Sequence, residues 1–67
     1  MTTAQLSERM QQVANQLPTQ RLMEAVRLMG GALLPVAENM ARAALLSAYQ
    51  AREGDEAMDA LMDEIGL

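Results

Sequence analysis

The chain contains no cysteine and no histidine. Without cysteine there are no disulfides and no thiolate ligands, and without histidine the commonest metal ligand and general base are missing. Lysine is absent too, so Ser7 and Ser47 have no basic partner that could activate them as nucleophiles. We therefore expect a protein that binds rather than catalyses, with no catalytic residues, no bound cofactor and no metal site.

Aromatic and β-branched residues are also scarce. Tyr49 is the only aromatic residue, and only seven of the 67 residues are β-branched. A β-sheet has little to be built from, whereas Ala, Leu, Met, Gln, Glu and Arg, which form helices readily, dominate the sequence. The composition predicts an all-α protein, and the short length predicts a single domain.

The net charge of −4 is carried by nine acidic residues against five arginines. This balance provides no basic face for nucleic acid, and an anionic membrane surface would repel it. No apolar run approaches the roughly 18–20 residues of a membrane span, and the N-terminus lacks the pattern of a signal peptide. We expect a cytoplasmic protein that binds neither nucleic acid nor membranes.

Turn and capping signals divide the chain into three or four short helices. Thr2 and Gln5 fit a capping box, Leu17-Pro18 ends a first helix, and Gly54 separates the last two. The predicted helices cover approximately residues 3–16, 18–33, 35–53 and 55–65. Gly30-Gly31 and Pro35 interrupt the middle of the chain, but the apolar residues keep one helical phase across them. We therefore favour one long, kinked helix over two helices joined by a short turn.

The helix predicted at residues 35–53 has more apolar surface than a chain of this size can cover. Small residues repeat along one line of it, which lets two helix backbones approach closely. We predict a helical-bundle homodimer with a seam along this line; the alternative is that the line packs against the first helix of the same chain. The predicted dimer interface is Ala37, Met40, Ala41, Ala44 and Ala48.

The opposite face of the same helix combines a leucine, an arginine and the only aromatic side chain, as binding surfaces often do. The last helix adds an apolar stripe with two methionines, which adapt easily to a partner. These residues are the predicted surface for a larger protein: Arg42, Leu46, Tyr49, Met58, Leu61 and Met62. The alternative is that this face is internal.

Together these patterns indicate a small, non-enzymatic regulatory protein. It would homodimerise and inhibit or adapt a larger protein, in the manner of phage inhibitors, antitoxins or small adaptors. The alternative is a structural assembly subunit, or scaffold, that forms higher helical oligomers through several apolar faces.

Overall fold

The computed structural model describes residues 2–67, and every regular element in that part of the chain is an α-helix. The helices are α1 (Thr3–Gln16), α2 (Thr19–Met29), α3 (Val36–Glu53) and α4 (Asp55–Ile65). The prediction of an all-α fold is confirmed, and of the three or four predicted helices the described residues form four.

Local signals explain where α1 begins and where α3 gives way to α4. The Thr2 hydroxyl accepts a hydrogen bond from the Gln5 backbone N–H (3.2 Å), and the Gln5 side chain accepts one from the Thr2 N–H (2.9 Å). This is the predicted capping box. Gly54 alone separates α3 from α4, at φ 91°, a conformation that glycine adopts without the steric cost of a Cβ.

The prediction of one kinked rod across the middle of the chain is wrong. Helix α2 ends at Met29, and residues 30–35 are not helical. Gly30 leaves the helix at φ 66°, and Pro35, which has no N–H to donate, precedes the first residue of α3. The apolar phase that suggested continuity is coincidental, since Leu33 and Val36 both lie in solvent.

Helix α3 is central and packs against the other three helices. Gln11 of α1 donates a hydrogen bond to the Ala44 carbonyl (3.4 Å), and farther along both helices Arg52 donates to the carbonyls of Ala14 (3.3 Å) and Asn15 (2.7 Å). Helices α1 and α3 therefore run in the same direction, and Arg52 satisfies the last carbonyls of α1.

Helix α4 folds back so that its end lies against the α2–α3 linker. A Cβ added at Gly31 would stand 2.9 Å from the carbonyl carbon of Gly66 and closer still to the Ile65 carbonyl oxygen. Only glycine permits this approach between two backbones. The core between the helices consists of nine buried apolar residues of the described chain: Ala14, Leu22, Val26, Ala44, Leu45, Leu46, Ala48, Tyr49 and Leu61.

Candidate functional site

Two of the five residues of the predicted dimer seam lie inside the protomer. Ala44 and Ala48 are buried in the same core cluster as Ala14 of α1, so a second copy cannot reach them in this fold. That part of the prediction is wrong, because α1 already covers this side of α3. Met40 and Ala41 are half-buried, and Ala37 is exposed. Only this beginning of the stripe is accessible to a partner.

The predicted partner surface is mostly internal as well. Arg42, Leu46, Tyr49 and Leu61 are all buried, so their assignment as partner contacts is wrong. The physical reason is that α2 and α4 cover this face of α3. Met58 and Met62 on α4 are only half-buried, and their role stays a prediction.

Arg42 holds the α2–α3 linker in place. The residue is 7% exposed, and Nη1 donates hydrogen bonds to the carbonyls of Gly30 and Ala32, both at 2.8 Å. Nη2 donates to the Asn39 side-chain oxygen at 2.9 Å. A buried guanidinium with several good acceptors is stabilised even without a carboxylate. Arg42 therefore fixes the linker that separates α2 from α3.

Three large apolar side chains in or beside this linker lie in solvent. Leu28 is 89% exposed, Leu33 is 102% exposed and Val36 is 77% exposed. We call these three residues the loop edge. Residues 28–37 contain no charged side chain, and no polar one either. Apolar side chains presented on a fixed segment are typical of a contact surface.

An apolar groove lies between α1 and α3, with a volume of about 220 Å³. Leu6, Met10, Val13 and Leu17 repeat at helical spacing along the first helix, a pattern that favours burial of Val13. In the structure Ala14 is buried instead, and Val13 remains 55% exposed. We call this feature the α1–α3 groove, and it is lined by Leu6, Arg9, Met10, Val13, Ala14, Ala41 and Leu45. Arg9 is the only charged residue in this lining.

Arg9 also differs from the other four arginines in its contacts. Arg42 and Arg52 are bound to backbone carbonyls. Within residues 2–67, the ion pairs are Arg21–Glu24 (3.2 Å) and Arg27–Glu64 (2.7 Å). In that part of the chain no carboxylate is paired with Arg9, so its charge is available to a ligand.

The Arg27–Glu64 ion pair joins α2 to α4 at the edge of a second surface pocket. Nε and Nη2 of Arg27 both donate to the Glu64 carboxylate, at 2.7 and 3.3 Å. These hydrogen bonds and the positive charge hold the pKa of Glu64 below its ordinary value, and the same contacts raise the pKa of Arg27. Both side chains are about half exposed, so the pair adds little stability. The other residues that line this pocket are Met23, Tyr49, Ala57, Ala60 and Leu61.

Neither the α1–α3 groove nor the pocket beside Arg27 and Glu64 brings together a set of metal ligands. Among the described residues, no group of three acidic side chains lies close enough to hold an ion. Nor is any helix in that part of the chain long and apolar enough to cross a membrane. Within residues 2–67, the surface offers apolar contact area and one arginine, Arg9, that no carboxylate pairs with.

Sequence reasoning missed the exposed apolar residues of both surfaces. The signal for the loop edge was present, because the uncharged residues 28–37 include Gly30-Gly31 and Pro35, which disfavour helix. The exposure of Val13 had no such signal, since a rotation of α1 about its own axis decides whether Val13 or Ala14 meets α3.

Comparison with family models, with curated proteins and with solved structures gave no match for this chain.

Proposed function

We propose that this chain is a small, non-enzymatic regulatory protein that homodimerises and binds a larger protein, which it inhibits or adapts. The observation that supports this most directly is the loop edge. Its three large apolar side chains are 77–102% exposed in a chain that buries few large side chains. Burial of such surface stabilises both an association and the small protomer itself.

The loop edge suits a second copy of the chain because of charge. Each copy carries a net charge of −4, so two copies repel wherever their acidic faces approach. Residues 28–37 are the longest stretch with neither a charged nor a polar side chain, and they include Ala37, the exposed member of the predicted seam. Contact there buries apolar side chains with the least repulsion, and apolar contact is characteristic of homodimer interfaces.

Sedimentation equilibrium of the wild type and of Leu33→Asp tests the dimer. Leu33 is fully exposed in the protomer, so the substitution should leave the helical circular dichroism signal unchanged while the protein shifts from dimer to monomer. Gln20→Asp, an exposed change on the first turn of α2, adds the same charge and should remain dimeric. A wild-type protein that stays monomeric over a wide concentration range would refute the proposal.

A scaffold that forms higher oligomers is the second candidate. It is supported by the presence of two apolar surfaces, the loop edge and the α1–α3 groove, because copies that join through two different surfaces can continue into an open assembly. Light scattering separates the candidates. A discrete dimer supports the regulator, and a mass that grows with concentration supports the scaffold.

A further inference from the structure

We propose that the α1–α3 groove binds one amphipathic helix of the larger protein, and that Arg9 pairs with a carboxylate on the polar flank of that helix. This inference rests on the proposed function, because it names the surface and the kind of partner through which the regulator acts. The loop edge is left to the second copy.

The shape of the groove favours a helix. Two of the lining residues, Ala14 and Ala41, have small side chains, which allows the side chains of a docked helix to come close. Met10 and Val13 also line the groove, and Val13 is about half exposed in the protomer. A helix that places apolar residues at i, i+3, i+4 and i+7 fills such a groove, and methionine adapts to its shape.

The charge of the groove favours an acidic partner. Arg9 is the only charged residue of the lining, and it has no carboxylate partner within residues 2–67. An acidic side chain on the docked helix would gain an ion pair there, whereas a basic one would meet repulsion. A second copy that docked through the same face would bring another Arg9 and no carboxylate from its own groove lining. The observations therefore favour a different protein over a second copy.

Two synthetic helical peptides serve as probes. Both carry the same leucine stripe at i, i+3, i+4 and i+7; one has glutamates on the flanks of the stripe and the other has lysines. Binding to the full chain is measured by isothermal titration calorimetry, and the contact surface by amide chemical shifts. We expect the glutamate peptide to bind about two- to fivefold more tightly at low salt, the range for an exposed ion pair, and the difference to shrink as salt is added.

Substitutions in the groove identify the contact. Arg9→Glu should reverse the preference so that the lysine peptide binds more tightly, whereas Arg21→Glu makes the same charge change outside the groove and should preserve it. Val13→Asp should abolish binding of both peptides. Val13 is half exposed, so this variant should keep its helical circular dichroism signal.

Several results would overturn the inference. One is the absence of shift changes at groove residues with either peptide; another is equal affinity of the two peptides for the wild type. If Val13→Asp turned a dimer into a monomer, the groove would belong to the second copy. The Leu33→Asp variant keeps the two proposals distinguishable. If this variant is monomeric and still binds the glutamate peptide, the result supports the groove as the peptide site. If the wild type itself is monomeric and binds the peptide, only the dimer proposal is refuted.

Discussion

Replacement of Arg42 by alanine should destabilise the protein strongly, although Arg42 has no carboxylate partner among residues 2–67. Arg42 is 7% exposed, and its guanidinium donates hydrogen bonds to Gly30, Ala32 and Asn39 at 2.8–2.9 Å. Alanine would remove all three bonds and the packing of the aliphatic part of the side chain. The linker would lose the contact that holds it between α2 and α3.

The size of the effect follows from the hydrogen bonds. A bond from a charged donor contributes about 1.5–3 kcal/mol. Ala32 is exposed, so water can replace the donor at its carbonyl, and the total is less than three full bonds. We expect Arg42→Ala to cost about 2–4 kcal/mol. At about 0.05–0.15 kcal/mol per residue, a chain of this length has a total stability of roughly 3–10 kcal/mol, so the loss is a large fraction of it.

Urea denaturation followed by far-ultraviolet circular dichroism measures this loss. Arg42→Lys keeps the charge, but a single ammonium group cannot reproduce the fork of donors, so it should restore only part of the stability. Arg21→Ala is the matched control. Arg21 lies in an exposed pair with Glu24, and its loss should cost no more than about 1 kcal/mol. If Arg42→Ala proved as stable as this control, the guanidinium would not secure the linker and the reasoning would fail.

Two further predictions concern the core and the surface. Leu46→Ala should lower the free energy of unfolding by about 2–5 kcal/mol, because Leu46 is buried; a urea midpoint equal to that of the wild type would instead mark it as a surface contact. Glu64→Gln should lower the melting temperature slightly near neutral pH and not in acid. The folded-state pKa of Glu64 is depressed, so its ion pair stabilises the fold above the ordinary glutamate pKa of about 4.3 and is lost as the pH falls through the lower, folded value. A gap between the two melting curves that persisted in strong acid would contradict this assignment.

Local features of the sequence were sufficient for the fold class and for several helix ends. The capping box of Thr2 and Gln5 depends on residues three positions apart, and the break at Gly54 depends on the conformational freedom of one residue. Such signals act within one turn of helix. They can therefore be read without knowing what the helix will pack against.

At the break between α2 and α3, the helical spacing of the apolar residues led to the wrong prediction of one continuous helix. Apolar periodicity favoured a continuous rod because it counts positions and ignores the local backbone. Gly30 leaves the helix at a positive φ, and Arg42, twelve residues along the chain, supplies donors for the carbonyls of the linker. The stabilising contact for the break comes from the next helix, so it is visible only after the chain has folded back.

The sequence by itself determined that the chain is helical and where most of its helices end. Its composition also excluded any chemistry that needs a histidine, cysteine or lysine side chain. The folded arrangement decided which side of each helix is buried. Helix α3 is apolar on more than one face, so its own pattern could not assign Tyr49 to the interior or Ala37 to the surface. That assignment depends on the rotation and direction of α1, α2 and α4 around it, and these are set by packing between residues far apart in the chain.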